Sequence, residues 1–136
     1  MSGKKLEVLV VDDQPGVRYL LEVIFSEEGH NVRLAKNGLE AVEAVKASKP
    51  DLVMLDVRMP QMSGIEALGR IKLISPKTEV VLMTAYIADE TVQMALKKGA
   101  LGCMIKPFDV DELRAFIVDF SWTASGNSKD VQAVVV

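Results

Sequence analysis

The sequence holds one cysteine, one histidine and one tryptophan in 136 residues, and aromatic residues make up only 5% of it. A single thiol, Cys103, cannot close an internal disulfide, so a reducing cytoplasm is the expected compartment. His30 has no second histidine and no nearby thiol beside it. It reads as a turn residue after Gly29 rather than a metal ligand or phosphocarrier. Positive charge is not in surplus either: 16 Lys+Arg stand against 19 Asp+Glu, for a net charge of −3. Without a basic face, direct binding to nucleic acid or to an anionic membrane is not expected. No apolar run is long enough to cross a bilayer, and residues 1–5 lead into no hydrophobic signal segment. What remains is a chain that is 49% apolar and 26% charged, enough to bury a core without disulfides.

Five short apolar runs recur: Val8-Leu9-Val10-Val11, Val32-Arg33-Leu34-Ala35, Leu52-Val53-Met54-Leu55, Val80-Val81-Leu82-Met83 and Leu101-Gly102-Cys103-Met104-Ile105. Several are rich in Val and too short for helices, which suits strands of a parallel sheet buried on both faces. Helical spacing fills the intervals. Val17, Leu20, Leu21, Ile24 and Phe25 form one apolar face that ends at Gly29. Leu39, Val42 and Val45 follow Asn37 with Glu40, and Ile65, Leu68 and Ile71 follow Ser63 with Glu66; both pairs are N-terminal capping patterns. Val92 and Leu96 mark a fourth helix stopping at Lys98-Gly99, and Asp109 with Glu112 opens a fifth through Leu113, Phe116 and Ile117. Right-handed crossovers then predict a doubly wound α/β sandwich of the flavodoxin-like class, its five-stranded parallel sheet in the order 2-1-3-4-5. The domain is expected to span residues 1–120, with 121–136 as a flexible tail or linker stub.

Chemistry collects just beyond the runs. Asp12 and Asp13 follow the first, Asp56 the third, Thr84 the fourth and Lys106 the fifth. In a parallel sheet these ends share one edge, and strands one and three flank the crevice where strand order reverses. Two carboxylates about 4 Å apart repel by roughly 4 kcal/mol at an effective dielectric of 20. Lys106 offsets one charge; a divalent cation offsets two more. All-oxygen ligands favour Mg²⁺, with Mn²⁺ as a substitute. With Lys106 and the Thr84 hydroxyl such a pocket suits a phosphoryl group, for which Asp56 is the candidate nucleophile. Singly, each of these residues also fits an ordinary role, such as Asp12-Asp13 capping a helix that begins near Pro15. Five of them on one sheet edge favour the functional reading.

These residues resemble the receiver domain of bacterial two-component response regulators. The resemblance covers about residues 6–120 and rests on Val10-Val11-Asp12-Asp13, on Leu55-Asp56-Val57-Arg58-Met59-Pro60 with Ser63-Gly64, on Met83-Thr84-Ala85 and on Lys106-Pro107-Phe108. Within the family, the stretch from Asp12 to Arg18 and the triplet Thr84-Ala85-Tyr86 look most like single-domain phosphorelay intermediates of sporulation. The resemblance implies that Asp56 accepts phosphate from a sensor histidine kinase or a histidine phosphotransferase. Asp12, Asp13, Asp56 and the main-chain carbonyl of Arg58 would hold Mg²⁺, Asp12 through water. Lys106 and Thr84 would contact phosphoryl oxygens, and the peptide before Pro107 would be cis. Thr84 would move inward on phosphorylation and shift the loop after strand four. The signal would pass to a downstream phosphorelay protein or an output domain.

One departure concerns the switch: where many receivers have an aromatic three residues before the lysine, this chain has Cys103, read as a small buried apolar group. Tyr86 is a candidate replacement, and Arg58 with Tyr86 is expected to restrict attacking water. Gln14, Pro15, Gly16, Val17 and Leu20, with Pro107 and Phe108 across the pocket, would form a partner patch, although helical spacing assigns Val17 or Leu20 to the core. Met59 and Met62 read as surface contacts; Met54, Met83 and Met104 read as core. Alternatives are a receiver cut from a longer DNA-binding or ATPase-coupled regulator, an aspartate-nucleophile phosphatase, whose second acid would fall at the position of Gln14, and a flavin-binding domain, whose phosphate the acid pair would repel.

Overall fold

In the computed structural model, which describes residues 3–86 and 90–126, strand and helix alternate five times. The order is β1 (Glu7–Val11), α1 (Pro15–Glu27), β2 (Asn31–Ala35), α2 (Gly38–Ala47), β3 (Leu52–Asp56), α3 (Gly64–Ile74), β4 (Glu79–Thr84), α4 (Glu90–Lys97), β5 (Gly102–Ile105) and α5 (Val110–Ala124). All pairings are parallel, and the sheet runs β2-β1-β3-β4-β5. This is the doubly wound order expected from the alternation. The chain moves outward from β1 to β2, then returns past β1 to β3, which leaves the crevice between β1 and β3.

Strand alternation divides the core into two layers. Val8, Val10 and Met54 face Leu21, Ile24 and Phe25 of α1 and Leu113, Phe116 and Ile117 of α5. Leu9, Val11, Val53 and Leu55 face Ala41, Val42 and Val45 of α2, Leu68 and Ile71 of α3, and Val92 of α4. Each fully buried Leu or Ile contributes about 1.5–3 kcal/mol relative to an exposed one, so these faces fix the register. Helix starts follow the expected caps. Asn37, Ser63 and Asp109 accept from the backbone N–H groups of Glu40, Glu66 and Glu112 at 2.8, 3.2 and 3.1 Å.

Four expectations are corrected. β2 is not buried on both faces: it is an edge strand, Leu34 is 41% exposed, and Arg33 donates to the carbonyls of Ala44 and Ser48 at the end of α2. Leu39 lies outside the core, because Gly38 and Ala41 take the inward positions of the first turn of α2. Met62 is 4% exposed and packs in the core instead of on the surface; Met59 is partly buried against the same cluster. Finally, residues 121–124, read as the start of the tail, belong to the last helix. It continues to Ala124 because Ser121 is buried and doubly tied to the N-terminal segment: its hydroxyl donates to the carbonyl of Lys4, and its carbonyl accepts from the Lys4 N–H at 3.0 Å. Residues 127–136, read above as tail, lie outside the described residues.

His30 sits in the loop between α1 and β2, as its place after Gly29 suggests, but faces inward. It is buried, and its Nδ1 accepts from the backbone N–H of Leu6 at 2.9 Å. Burial pulls its pKa below the usual histidine value, with Glu28 and Asp51 pulling the other way.

Candidate functional site

The carboxyl ends of β1, β3, β4 and β5 meet at one edge. Asp12 follows β1 and is fully buried; Asp13, one residue on, is exposed. Asp56 closes β3 at 5% exposure and Thr84 closes β4 at 4%. Lys106 follows β5, where its N–H donates to the carbonyl of Thr84 at 2.8 Å and its peptide bond to Pro107 is cis. One carboxylate oxygen from each of Asp12, Asp13 and Asp56 lies within 4.8 Å of the others. Lys106 Nζ bridges two of these acids, at 2.7 Å from Asp12 Oδ2 and 3.4 Å from Asp56 Oδ1. The sheet edge thus brings together the five residues expected there.

Asp12 is held from several sides. Its Oδ1 accepts from the Gln14 N–H at 2.9 Å, and its own N–H donates to the carbonyl of Ala35 at 3.2 Å. The Asp12 carbonyl accepts from Arg18 Nη1 at 2.7 Å. Acid-pair capping of α1 is therefore not what the structure has. The N-cap is Gln14, which makes no side-chain cap bond, and Asp12 instead turns back on the chain two residues on. Arg18 had no assigned role in the sequence; its place in the first turn beyond the acid pair was the only signal.

Charge in the crevice is unbalanced. Three carboxylates face one ammonium, and Asp56 bears the consequence: burial first, then the neighbouring Asp12 charge, push its pKa from 3.8 to about 6 against the pull of Lys106. An all-oxygen set with two uncompensated negative charges fits a hard divalent cation such as Mg²⁺ and does not fit a thiophilic metal.

An open pocket at this edge is lined by Asp13, Gln14, Asp56, Arg58, Thr84, Ala85 and Lys106. Arg58 is exposed, and its N–H points to Asp56 Oδ1 at 3.4 Å. The Thr84 hydroxyl accepts from the Tyr86 N–H at 3.2 Å. Tyr86 itself is 70% exposed and does not line the pocket, so its ring does not stand in for the missing switch aromatic in this conformation. Cys103 is fully buried opposite Leu82 of β4, and burial raises its thiol pKa to about 11, which keeps it neutral. Around the mouth, Gln14, Pro15, Gly16 and Pro107 are exposed, Leu20 is 40% exposed, and Val17 and Phe108 pack partly against the core. Tyr19, 68% exposed beside Leu20, enlarges the apolar patch and was not singled out by the periodicity.

Known proteins share this arrangement. Residues 8–118 match the family described as the response regulator receiver domain. The chain is 45% identical to sporulation initiation phosphotransferase F of Bacillus subtilis over 108 residues, covering 79% of this chain and 87% of that protein. It is also 45% identical over 114 residues to the transcriptional regulatory protein ZraR of Klebsiella oxytoca, of which it spans 26%. Among solved structures, the receiver domain of NtrX from Brucella abortus superposes with a TM-score of 0.78 at 32% identity, covering 87% of this chain and 99% of that one. Chemotaxis protein CheY4 of Vibrio cholerae gives 0.75 at 29% identity, covering 80% and 92%. With the family model matched over most of its length and with relatives of this identity, the chain belongs to the response regulator receiver family.

Proposed function

We propose that this receiver accepts a phosphoryl group on Asp56 from a phosphohistidine of a sensor kinase or a histidine phosphotransferase, in the cytoplasm. The observation that carries the reading is the convergence of Asp12, Asp13 and Asp56 within 4.8 Å, bridged by Lys106. An Asp56 carboxylate oxygen attacks phosphorus; the P–O bond forms as the P–N bond to the donor imidazole breaks, and the electron pair leaves with the ring nitrogen. Asp12, Asp13, Asp56 and the Arg58 carbonyl are suited to hold Mg²⁺, which supplies positive charge against the phosphoryl oxygens when bound; Mn²⁺ meets the same donor set. Lys106 moves from the acids to a phosphoryl oxygen, a short step for an ammonium already in the crevice. Thr84 turns its hydroxyl, which donates to the Tyr86 carbonyl at 3.4 Å, to another phosphoryl oxygen, which couples the site to the loop after β4.

Two outputs fit. As a stand-alone relay, the protein hands the group to a second histidine-bearing protein docked on the patch of Gln14, Pro15, Gly16, Leu20, Pro107 and Phe108. Alternatively, the 26% span of ZraR favours a receiver module attached to a DNA-binding or ATPase output domain. Among the described residues no helix is long and apolar enough to cross a membrane. Incubation of wild type and Asp56→Asn with a small phosphodonor and Mg²⁺, read by intact mass, tests the reading. The wild type gains one phosphoryl group. An equal gain in the variant removes Asp56 as acceptor.

A further inference from the structure

We propose that Gly64 is a positioning residue for the phosphoacceptor, holding Asp56 and the Arg58 carbonyl at their heights by leaving room for the end of β3. The inference rests on the phosphoacceptor reading and adds a residue that makes no contact with the phosphoryl group. After Asp56 the chain loops out through Gln61, a non-glycine residue at φ 72°, and is pinned by the buried Met62. It returns at Gly64, the first residue of α3, whose N–H donates to the carbonyl of Val57 at 2.9 Å. A Cβ at position 64 would stand 2.4 Å from the Asp56 carbonyl oxygen and 2.8 Å from Val57 Cα. Ordinary contact begins near 3.4 Å, and both obstructing atoms are main chain, so something must move by about 1 Å.

The structure decides which side yields. α3 is anchored by Ala67, Leu68 and Ile71, all at 0% exposure. The main chain of Asp56 is paired on one side only: it faces Met83 of β4, whereas the ladder to β1 ends at Leu55. Asp56 at the end of β3 and the loop residues Val57 and Arg58 that follow it are the softer side, and Asp56 and Arg58 carry two of the proposed Mg²⁺ donors. Gly38 and Gly69 differ. At Gly38 a Cβ meets side-chain rather than main-chain atoms, those of Met62 at 2.9 Å, and at Gly69, also in α3, nothing lies within 4 Å.

Gly64→Ala is expected to weaken Mg²⁺ binding and slow acquisition of the phosphoryl group by about ten- to a hundredfold, the usual cost of a misplacement near 1 Å. Gly69→Ala leaves both unchanged. Titration of Mg²⁺ followed by amide NMR gives the affinity. Spectra of the metal-free proteins show displaced Val57 and Arg58 amide signals in Gly64→Ala alone. Should Gly64→Ala fold poorly, adding Gly69→Ala raises the helix propensity of α3 without touching the contact. A folded Gly64→Ala protein with wild-type Mg²⁺ affinity and unmoved amides overturns the proposal. If wild type itself binds no Mg²⁺, the phosphoacceptor reading fails instead, and the metal-free amide positions still decide the role of Gly64.

Discussion

Replacing the proposed phosphoacceptor is expected to make the metal-free protein more stable. Asp56 has a pKa near 6 in the fold against 3.8 for the free side chain, because it is buried and faces the Asp12 carboxylate. At about 1.4 kcal/mol per pKa unit, keeping it ionised at pH 7 costs the fold about 3 kcal/mol. The sign follows from proton binding. The folded state holds the proton more tightly, so this contribution to stability is fully present below pH 3.8 and is lost as pH rises through about 6. Asp56→Asn keeps the shape and removes the charge, but puts an N–H donor where the carboxylate has a second acceptor oxygen, so part of the gain is forfeited. The expected net is about 1–3 kcal/mol in favour of the variant at pH 7, shrinking toward zero near pH 4. Urea unfolding in EDTA across that pH range measures it. Mg²⁺ at saturation should close the gap, since it stabilises only the wild-type site. If Asp56→Asn is no more stable than wild type at pH 7 in EDTA, the account of a charge-strained crevice is wrong.

Other perturbations probe separate parts of the fold. His30 has a lowered pKa, and its Nδ1 accepts a hydrogen bond from the Leu6 N–H, so its contribution runs opposite to that of Asp56 and is lost as pH falls below 6.5. In the Asp56→Asn background, urea unfolding should show a loss of stability in acid that His30→Asn abolishes; a persistent loss assigns it elsewhere. Arg58→Asn opens the pocket mouth and should speed hydrolysis of the acyl phosphate several-fold, measured as loss of radiolabel; an unchanged half-life rejects Arg58 as a shield. Met62→Ala empties a buried site under Gly38 and should cost about 2–4 kcal/mol in urea unfolding. A smaller loss would mean the loop collapses onto the space. Ser121→Ala removes the hydroxyl half of the tie to Lys4 and should cost about 1 kcal/mol, with earlier hydrogen exchange in the last turn of α5 if that bond holds it.

Much of this protein is written in short-range patterns. Val-rich runs, three Asx/Ser caps and the strand–helix alternation specify the elements, and crossover handedness leaves few orders for the sheet. The crevice residues were legible for the same reason: each follows a strand directly, and parallel strands all end on one edge. Relations between distant segments were not legible. Whether Leu34 and Leu39 meet core or solvent depends on β2 being the edge strand, and whether Met62 is surface or core depends on Gly38 arriving above it. The length of α5 depends on a hydrogen-bond pair with Lys4, 117 residues away. The same holds for charge. Composition counts a net of −3 over the whole chain, whereas only the folded crevice sets three carboxylates against one ammonium and lifts Asp56 to a pKa near 6. Periodicity and capping act over a few residues and can be read along the chain. Burial, electrostatic strain and steric clearance such as that at Gly64 act between atoms that only folding brings together.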